Sequence, residues 1–95
     1  MTAVVRLSPA ARLVLTTLLE HPERETYGQE LIKATGKGHG TVYPMLARLE
    51  AHGWISARWE DYEPDVARRP PRLYCKLTAD GAIRAREVLT RRRRR

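Results

Sequence analysis

Two stretches of the chain repeat one apolar spacing: Ala11, Val14, Leu15 and Leu18, then Val42, Met45, Leu46 and Leu49, fall at i, i+3, i+4 and i+7. At about 100° per residue this gathers each set into one stripe of an α-helix, so the first half of the chain consists of helices that must bury a face against one another. Local signals bound these helices. Ser8-Pro9 opens the first, because serine can accept from a free first-turn amide and proline suits the first helical position, and His21-Pro22 ends it. Thr26 is expected to cap a short second helix running to about Thr35, with Tyr27, Leu31 and Ile32 inward and Gly36 and Gly38 breaking it. The third helix is expected from about Gly40 to Gly53, with Pro44 early enough for its missing amide hydrogen to cost little.

Beyond Gly53 the periodicity changes. Residues 54–59 and 73–77 are short segments with aromatic and branched content, suited to two strands of a hairpin; Trp54 and Trp59 could line a small-molecule pocket, but indoles on a hairpin packed against helices are more often core, and they are read as core with Cys75. Residues 60–72 between them contain Pro64, Pro70 and Pro71 and cannot continue a sheet, so they form an extended loop. Thr78 with Asp80 opens a last helix carrying a modest stripe of Ala82, Ala85 or Arg86, and Leu89. The fold class that follows is α+β, a winged helix-turn-helix: a three-helix core, a two-stranded hairpin wing and a C-terminal helix. Ninety-five residues hold one such core. The chain is therefore read as one domain, residues 1–95, with its folded part at 8–89 and a basic tail at 90–95.

Several function classes are excluded by what is missing. No apolar run approaches the roughly 20 residues of a membrane span, and the apolar stretch at the start is too short for a secretory signal, so the expectation is a cytoplasmic protein with no membrane partner. A lone Cys75 and three scattered histidines offer neither a disulfide framework nor a metal set, and no cofactor is expected. No nucleophile, base and orienting group recur at credible spacing. Gly36-Lys37-Gly38-His39-Gly40 joins two helices, where a phosphate-cradling loop would join a strand to a helix, so the chain is not read as an enzyme.

The net charge of +7 favours a polyanion, but it is unevenly spread: residues 1–60 carry seven positive and six negative charges, residues 61–95 eleven and five. Five of those eleven are residues 91–95, all arginine. The third helix makes the stronger case. Its buried stripe leaves Gly40, Thr41, Pro44, Ala47, Arg48 and Ala51 on the opposite side, a face slim enough to enter a major groove about 12 Å wide, with Thr41 and Arg48 as donors. A merely solvated face would carry more Glu, Lys and Gln. Lys37, His39 and the amides around Gly38 to Thr41 lie where a helix N-terminus favours phosphate, although a plain glycine-rich turn would look the same. Tyr27 is a phosphate donor or a core residue. Arg68, Arg69 and Arg72 flank the stiff Pro70-Pro71 pair as a cationic wing, unless Glu60, Asp61, Glu63 and Asp65 neutralise them within the chain. The terminal arginines add a sequence-independent phosphate attraction, or are simply solvated. Double-stranded DNA is thus the expected partner; Tyr43, Tyr62 and Tyr74 are too few and too scattered for an RNA-stacking surface.

The blocks Tyr27-Gly28-Gln29-Glu30-Leu31, residues 40–50 (Gly-Thr-Val-Tyr-Pro-Met-Leu-Ala-Arg-Leu-Glu), Gly53-Trp54-Ile55, Trp59-Glu60, Arg69-Pro70-Pro71-Arg72-Leu73-Tyr74 and Leu77-Thr78-Ala79-Asp80-Gly81 resemble the PadR family of winged-helix transcriptional regulators, over roughly residues 8 to 89. The resemblance implies that Thr41, Tyr43, Pro44 and Arg48 sit at the groove and Arg68, Arg69 and Arg72 in the wing. It also implies a homodimer whose last helix meets a partner's first helix, through Leu15, Leu19, Ala82, Ala85, Arg86 and Leu89. The single short C-terminal helix matches the compact branch of the family. That helix lacks the tryptophan with which some drug-sensing relatives hold flat ligands between subunits, so a small-molecule effector stays open as a partner without being implied. The leading expectation is a sequence-specific repressor at a palindromic operator. An architectural or recombination accessory protein, or a protein-interaction module on the same fold, is the alternative.

Overall fold

The computed structural model describes residues 7–61, 63, 65 and 68–93, the last three by backbone alone. Expectations for Tyr62, Pro64, Arg94 and Arg95 fall outside the described residues. Helix α1 (Pro9–Glu20) begins as expected: the Ser8 hydroxyl accepts from the Ala11 amide at 3.1 Å, and proline occupies its first turn. Val14, Leu15 and Leu18 are buried along its inner face.

Helix α2 (Gly28–Thr35) corrects one expectation. Thr26 does not cap it: Thr26 and Tyr27 form a two-residue strand, β1, and Tyr27 is the cap, its backbone N–H donating to the Glu30 carboxylate at 3.0 Å. The physical reason is tertiary, since Thr26 lies opposite Cys75 and Tyr27 opposite Tyr74 in the sheet. Gly36 closes the helix in the left-handed conformation, φ 71°, and its amide bonds to the Ile32 carbonyl.

Helix α3 (His39–Ala51) starts at Gly38 and buries Val42, Met45, Leu46 and Leu49, the expected stripe. Pro44 is its sixth residue, so the acceptor it leaves unused is the carbonyl of Gly40, which is exposed and can turn to water. At the far end the amides of Gly53 and Trp54 bond back to Glu50 and Leu49, with Gly53 at φ 78°.

The sheet has three strands where two were expected. Strands β2 (Ile55–Trp59) and β3 (Leu73–Leu77) pair antiparallel from Ile55↔Leu77 to Trp59↔Leu73, and β1 adds to the other side of β3. Cys75 is therefore in the central strand and fully buried, and burial pushes its thiol up to about 11, which keeps it protonated and unreactive at neutral pH. The two tryptophans part company. Trp54 is core as expected, but Trp59 is 60% exposed at the end of β2, because the pairing ends there and the chain departs into the wing.

Helix α4 (Ala79–Arg93) continues through residues 90–93, which were expected to lie in a tail beyond the helix. Thr78 holds its start: the hydroxyl accepts from the Gly81 amide at 2.8 Å and lies 2.7 Å from the Gly53 carbonyl, to which it donates. Ala85 is the buried member of the stripe and Arg86 is exposed. The buried apolar residues of α1, α2, α3, β2, β3 and α4, with Trp54, make one cluster. Against it α3 is docked by one flank and presents the other outward.

Candidate nucleic-acid interface

The outward flank of α3 is the expected one. Gly40, Thr41, Pro44, Ala47, Arg48 and Ala51 are all exposed, as are Lys37 and His39 just before and at the helix start. Gly38 brings no capping side chain; its carbonyl accepts from the Thr41 amide at 3.1 Å, and the His39 and Gly40 amides ahead of it are left for water or an anion. Arg48 and Lys37 have no carboxylate partner among the described residues. Tyr43 is half-buried: its ring stacks on His39 at 5.5 Å and 14°, and its hydroxyl lies so close to the start of α2 that a side-chain carbon on Gly28 would collide with it. A larger residue at position 28 would have to displace the Tyr43 ring, and burial raises the Tyr43 phenol above its ordinary value.

The wing arginines do not act alike. Arg69 is clamped to Glu60 by two hydrogen bonds, at 2.6 and 3.1 Å, while the Arg72 amide also donates to Glu60 at 2.8 Å and the Glu60 amide returns a bond to the Arg72 carbonyl. Neutralisation within the chain, the alternative weighed for this loop, therefore holds for Arg69. Arg68 is exposed with φ 56°. The Arg72 guanidinium lies 4.2 Å from the centre of the Tyr27 ring. Tyr27 in turn meets Tyr74 edge-on at 6.0 Å, Arg58 covers Tyr74 at 4.9 Å, and Arg58 forks onto Glu25 at 2.7 and 2.8 Å. Sequence reasoning did not find this row of two rings between two cations, because it needs β1 beside β3. Gln29 and Trp59, which border the same region, were also missed as surface residues.

Hydrogen bonds from Arg69 hold the Glu60 carboxyl below the usual 4.5, outweighing desolvation, with the Arg72 amide adding to the effect. A lowered carboxylate contributes its stabilisation in full above pH 4.5 and loses it as the pH falls through the lowered value. The wing stem should accordingly loosen at a pH below the ordinary carboxylate value of 4.5. Following the Trp59 indole resonance against pH checks this: the wild-type chain should show an acid step that Glu60→Gln lacks.

Among the proposed dimer residues, Leu15 and Ala85 are completely buried in the chain's own core and offer no surface to a partner. This corrects the expectation for those two: the inner stripe, which fixes helix identity, is used up within one chain. Leu19, Ala82 and Leu89 are partly buried, Arg86 is exposed, and Leu13 and Ile83 are 43% and 57% exposed. Among the described residues no group of three or more metal-ligating side chains occurs, and no helix is long and apolar enough to cross a membrane.

An exposed helix standing proud of a helical core, with a hairpin carrying Arg68 and Arg72 beside it, is the arrangement of the winged helix-turn-helix class of DNA-binding proteins. The sequence matches the profile of the transcriptional regulator PadR-like family over residues 14–87. The chain belongs to that family, whose members are DNA-binding transcription regulators and not enzymes. It is similar to a PadR-family transcriptional regulator from Eggerthella lenta, at 29% identity and TM-score 0.61, covering 87% of this chain and 70% of that one. It is also similar to AbfR in its disulfide-formed structure, at 26% identity and TM-score 0.65 over 82% of this chain and 48% of that one, so it spans about half of AbfR's length. A PadR-like transcription factor from Bacteroides fragilis shares the fold at 24% identity and TM-score 0.65, over 90% of this chain and 84% of that one. No curated protein matches.

Proposed function

We propose that this regulator is a homodimeric repressor that reads a palindromic operator with α3 and occludes the promoter containing it. The observation that carries the reading is the outward flank of α3, where small residues surround Thr41 and Arg48 and no part of the described chain covers them. Thr41, Pro44 and Arg48 approach base edges. Lys37, His39 and the first-turn amides, with Gly40 allowing close approach, take a phosphate. Tyr27 and Tyr43 set the spacing of α2 and α3 beside the backbone, and Arg68 and Arg72 serve the wing, with Arg69 holding the wing's shape through Glu60. The exposed apolar side chains Leu13 and Ile83, with Leu19, Ala82, Arg86 and Leu89, supply the surface on α1 and α4 for a second copy.

A dimer of this kind places two recognition helices about 34–36 Å apart. Selection of bound duplexes from a random pool, followed by footprinting and sedimentation, is expected to give two-fold-symmetric sites with half-sites one duplex turn apart and two chains per site. A monomer on an asymmetric site would overturn the proposal. Repression itself is tested by placing the selected site in a reporter promoter, where transcription should fall when the protein is present.

The terminal arginines supply a sequence-independent attraction for phosphate. Replacing residues 91–95 with serine is expected to flatten the dependence of log affinity on log salt by about 0.9 for each phosphate that the variant leaves unneutralised, with little change in sequence preference. An unchanged slope would remove this segment from the interface.

A further inference from the structure

We propose that Arg12 of α1 and Glu87 of α4 recognise each other across the homodimer, so that a second copy of this chain supplies the carboxylate that each Arg12 lacks. The inference deepens the reading of the protein as a homodimer and rests on it. Arg12 is half-buried, and its Nη1 atom is closed off from water without a hydrogen-bond partner. A guanidinium nitrogen taken out of water needs an acceptor, and a carboxylate is the strongest one a protein offers. The chain has eleven aspartates and glutamates, and all of them lie among the described residues. Four are taken, Glu25 by Arg58, Glu30 by Arg24, Glu60 by Arg69 and Asp80 by Arg84, and none of the eleven pairs with Arg12. Residues 1–6, which precede α1, contain no aspartate or glutamate. The missing counter-charge therefore has to come from outside the chain.

Position on the helices selects Glu87. Arg12 stands beside Leu13, an exposed apolar side chain of α1, and Glu87 stands one turn beyond Ile83, an exposed apolar side chain of α4. Glu87 is itself exposed and makes no ion pair among the described residues. Each helix thus offers one apolar side chain and one uncompensated charge, and the two charges are opposite. The α1 face is also less polar than its sequence suggests, because the Thr16 and Thr17 hydroxyls donate to the Arg12 and Leu13 carbonyls of their own helix at 2.7 and 2.8 Å. Two-fold symmetry completes the arrangement. If α1 of one protomer lies on α4 of its partner, the reverse contact exists as well, and the Arg12–Glu87 pair forms twice. Such a pair adds little net affinity, since both charges lose water, but a partner lacking the carboxylate leaves Arg12 desolvated and unpaired. Its effect falls on the choice of partner: it admits a second copy and rejects a similar helix with an apolar or basic residue in that place.

Sedimentation of the full chain and of two charge-reversed variants tests the pair. Arg12→Glu and Glu87→Arg should each weaken self-association at least ten-fold, since each homodimer then sets like charges against each other twice. An equimolar mixture of the two variants should dimerise to within about three-fold of the parent, because one chain now presents two carboxylates and the other two guanidinium groups, and both pairs form again. Circular dichroism checks that each variant is folded. Where Arg12→Glu does not fold, Arg12→Met, Glu87→Met and the double replacement decide the matter: the product of the two single effects on dimer affinity should exceed the effect of the double at least five-fold. A mixture no stronger than its components, or a cycle without coupling where the cycle is needed, would overturn the proposal. So would restoration of Arg12→Glu by Glu20→Arg, which would set α1 against α1. If the parent sediments as a monomer, the homodimer reading fails and takes the pair with it. A dimeric parent indifferent to these charges refutes the pair alone and leaves the homodimer standing.

Discussion

Replacing Gly81 with alanine is expected to destabilise the protein by about 3 kcal/mol or more, one of the largest effects available from a single added carbon. Gly81 is buried in the first turn of α4, which lies directly on the backbone of Trp54. A side-chain carbon there would overlap the Trp54 carbonyl oxygen and stand 2.6 and 2.8 Å from the carbonyl carbon and Cα. These are backbone atoms already fixed on several sides. The Trp54 carbonyl accepts from the Thr78 amide at 3.0 Å, and the Trp54 amide bonds to Leu49 at the end of α3. Alanine must therefore push α4 off the Gly53–Trp54 corner and strain the Thr78 bonds, each worth about 0.5–1.5 kcal/mol, on top of about 1–3 kcal/mol of overpacking. For a domain of this size the melting temperature should fall by about 12–24 °C. Thermal unfolding followed by circular dichroism measures it, and an unchanged midpoint would show that α4 can yield without cost.

The second large effect is on binding alone. Thr41→Ala with Arg48→Ala is expected to lower operator affinity by about 2 kcal/mol or more, roughly thirty-fold, since a good direct base contact contributes about 1–3 kcal/mol. Both side chains are exposed and Arg48 has no carboxylate partner among the described residues, so stability should stay within about 0.5 kcal/mol of the parent. Affinity for random duplex should fall much less, because neither residue is proposed to contribute mainly through phosphate. Titrations against the selected site and a scrambled duplex separate these terms. Equal losses on both would move the reading face elsewhere on the molecule.

Much of this fold was legible because the informative residues act within one turn of themselves. Ser8 caps α1 through an amide three residues away, and Gly36 and Gly53 mark helix ends through their own positive φ. The stripe from Val42 to Leu49 needs only helical geometry to predict which flank is buried, and so which flank is left to read DNA. Thr26 defeated the same kind of reasoning. It is a good cap by composition, but its place opposite Cys75 in the sheet overrides local preference. Trp59 failed in the opposite direction, since a large indole reads as core and only the end of the β2–β3 ladder exposes it. Leu15 and Ala85 were misread as contact surface because the resemblance points to a helix, while burial is decided side chain by side chain.

The amino-acid order alone settled the helix-turn-helix and the slim outer flank of α3, both consequences of periodicity and of single-residue backbone preferences. Tertiary structure decided what depends on segments far apart in the chain: β1 completing a third strand, Glu60 engaging Arg69 and leaving Arg72 on Tyr27, and α4 resting on the Trp54 backbone so closely that only glycine fits. The division is physical. Helix caps and stripes are set by neighbours within a few residues, whereas pairing, ion-pair choice and close approach depend on which distant groups the packed core brings together.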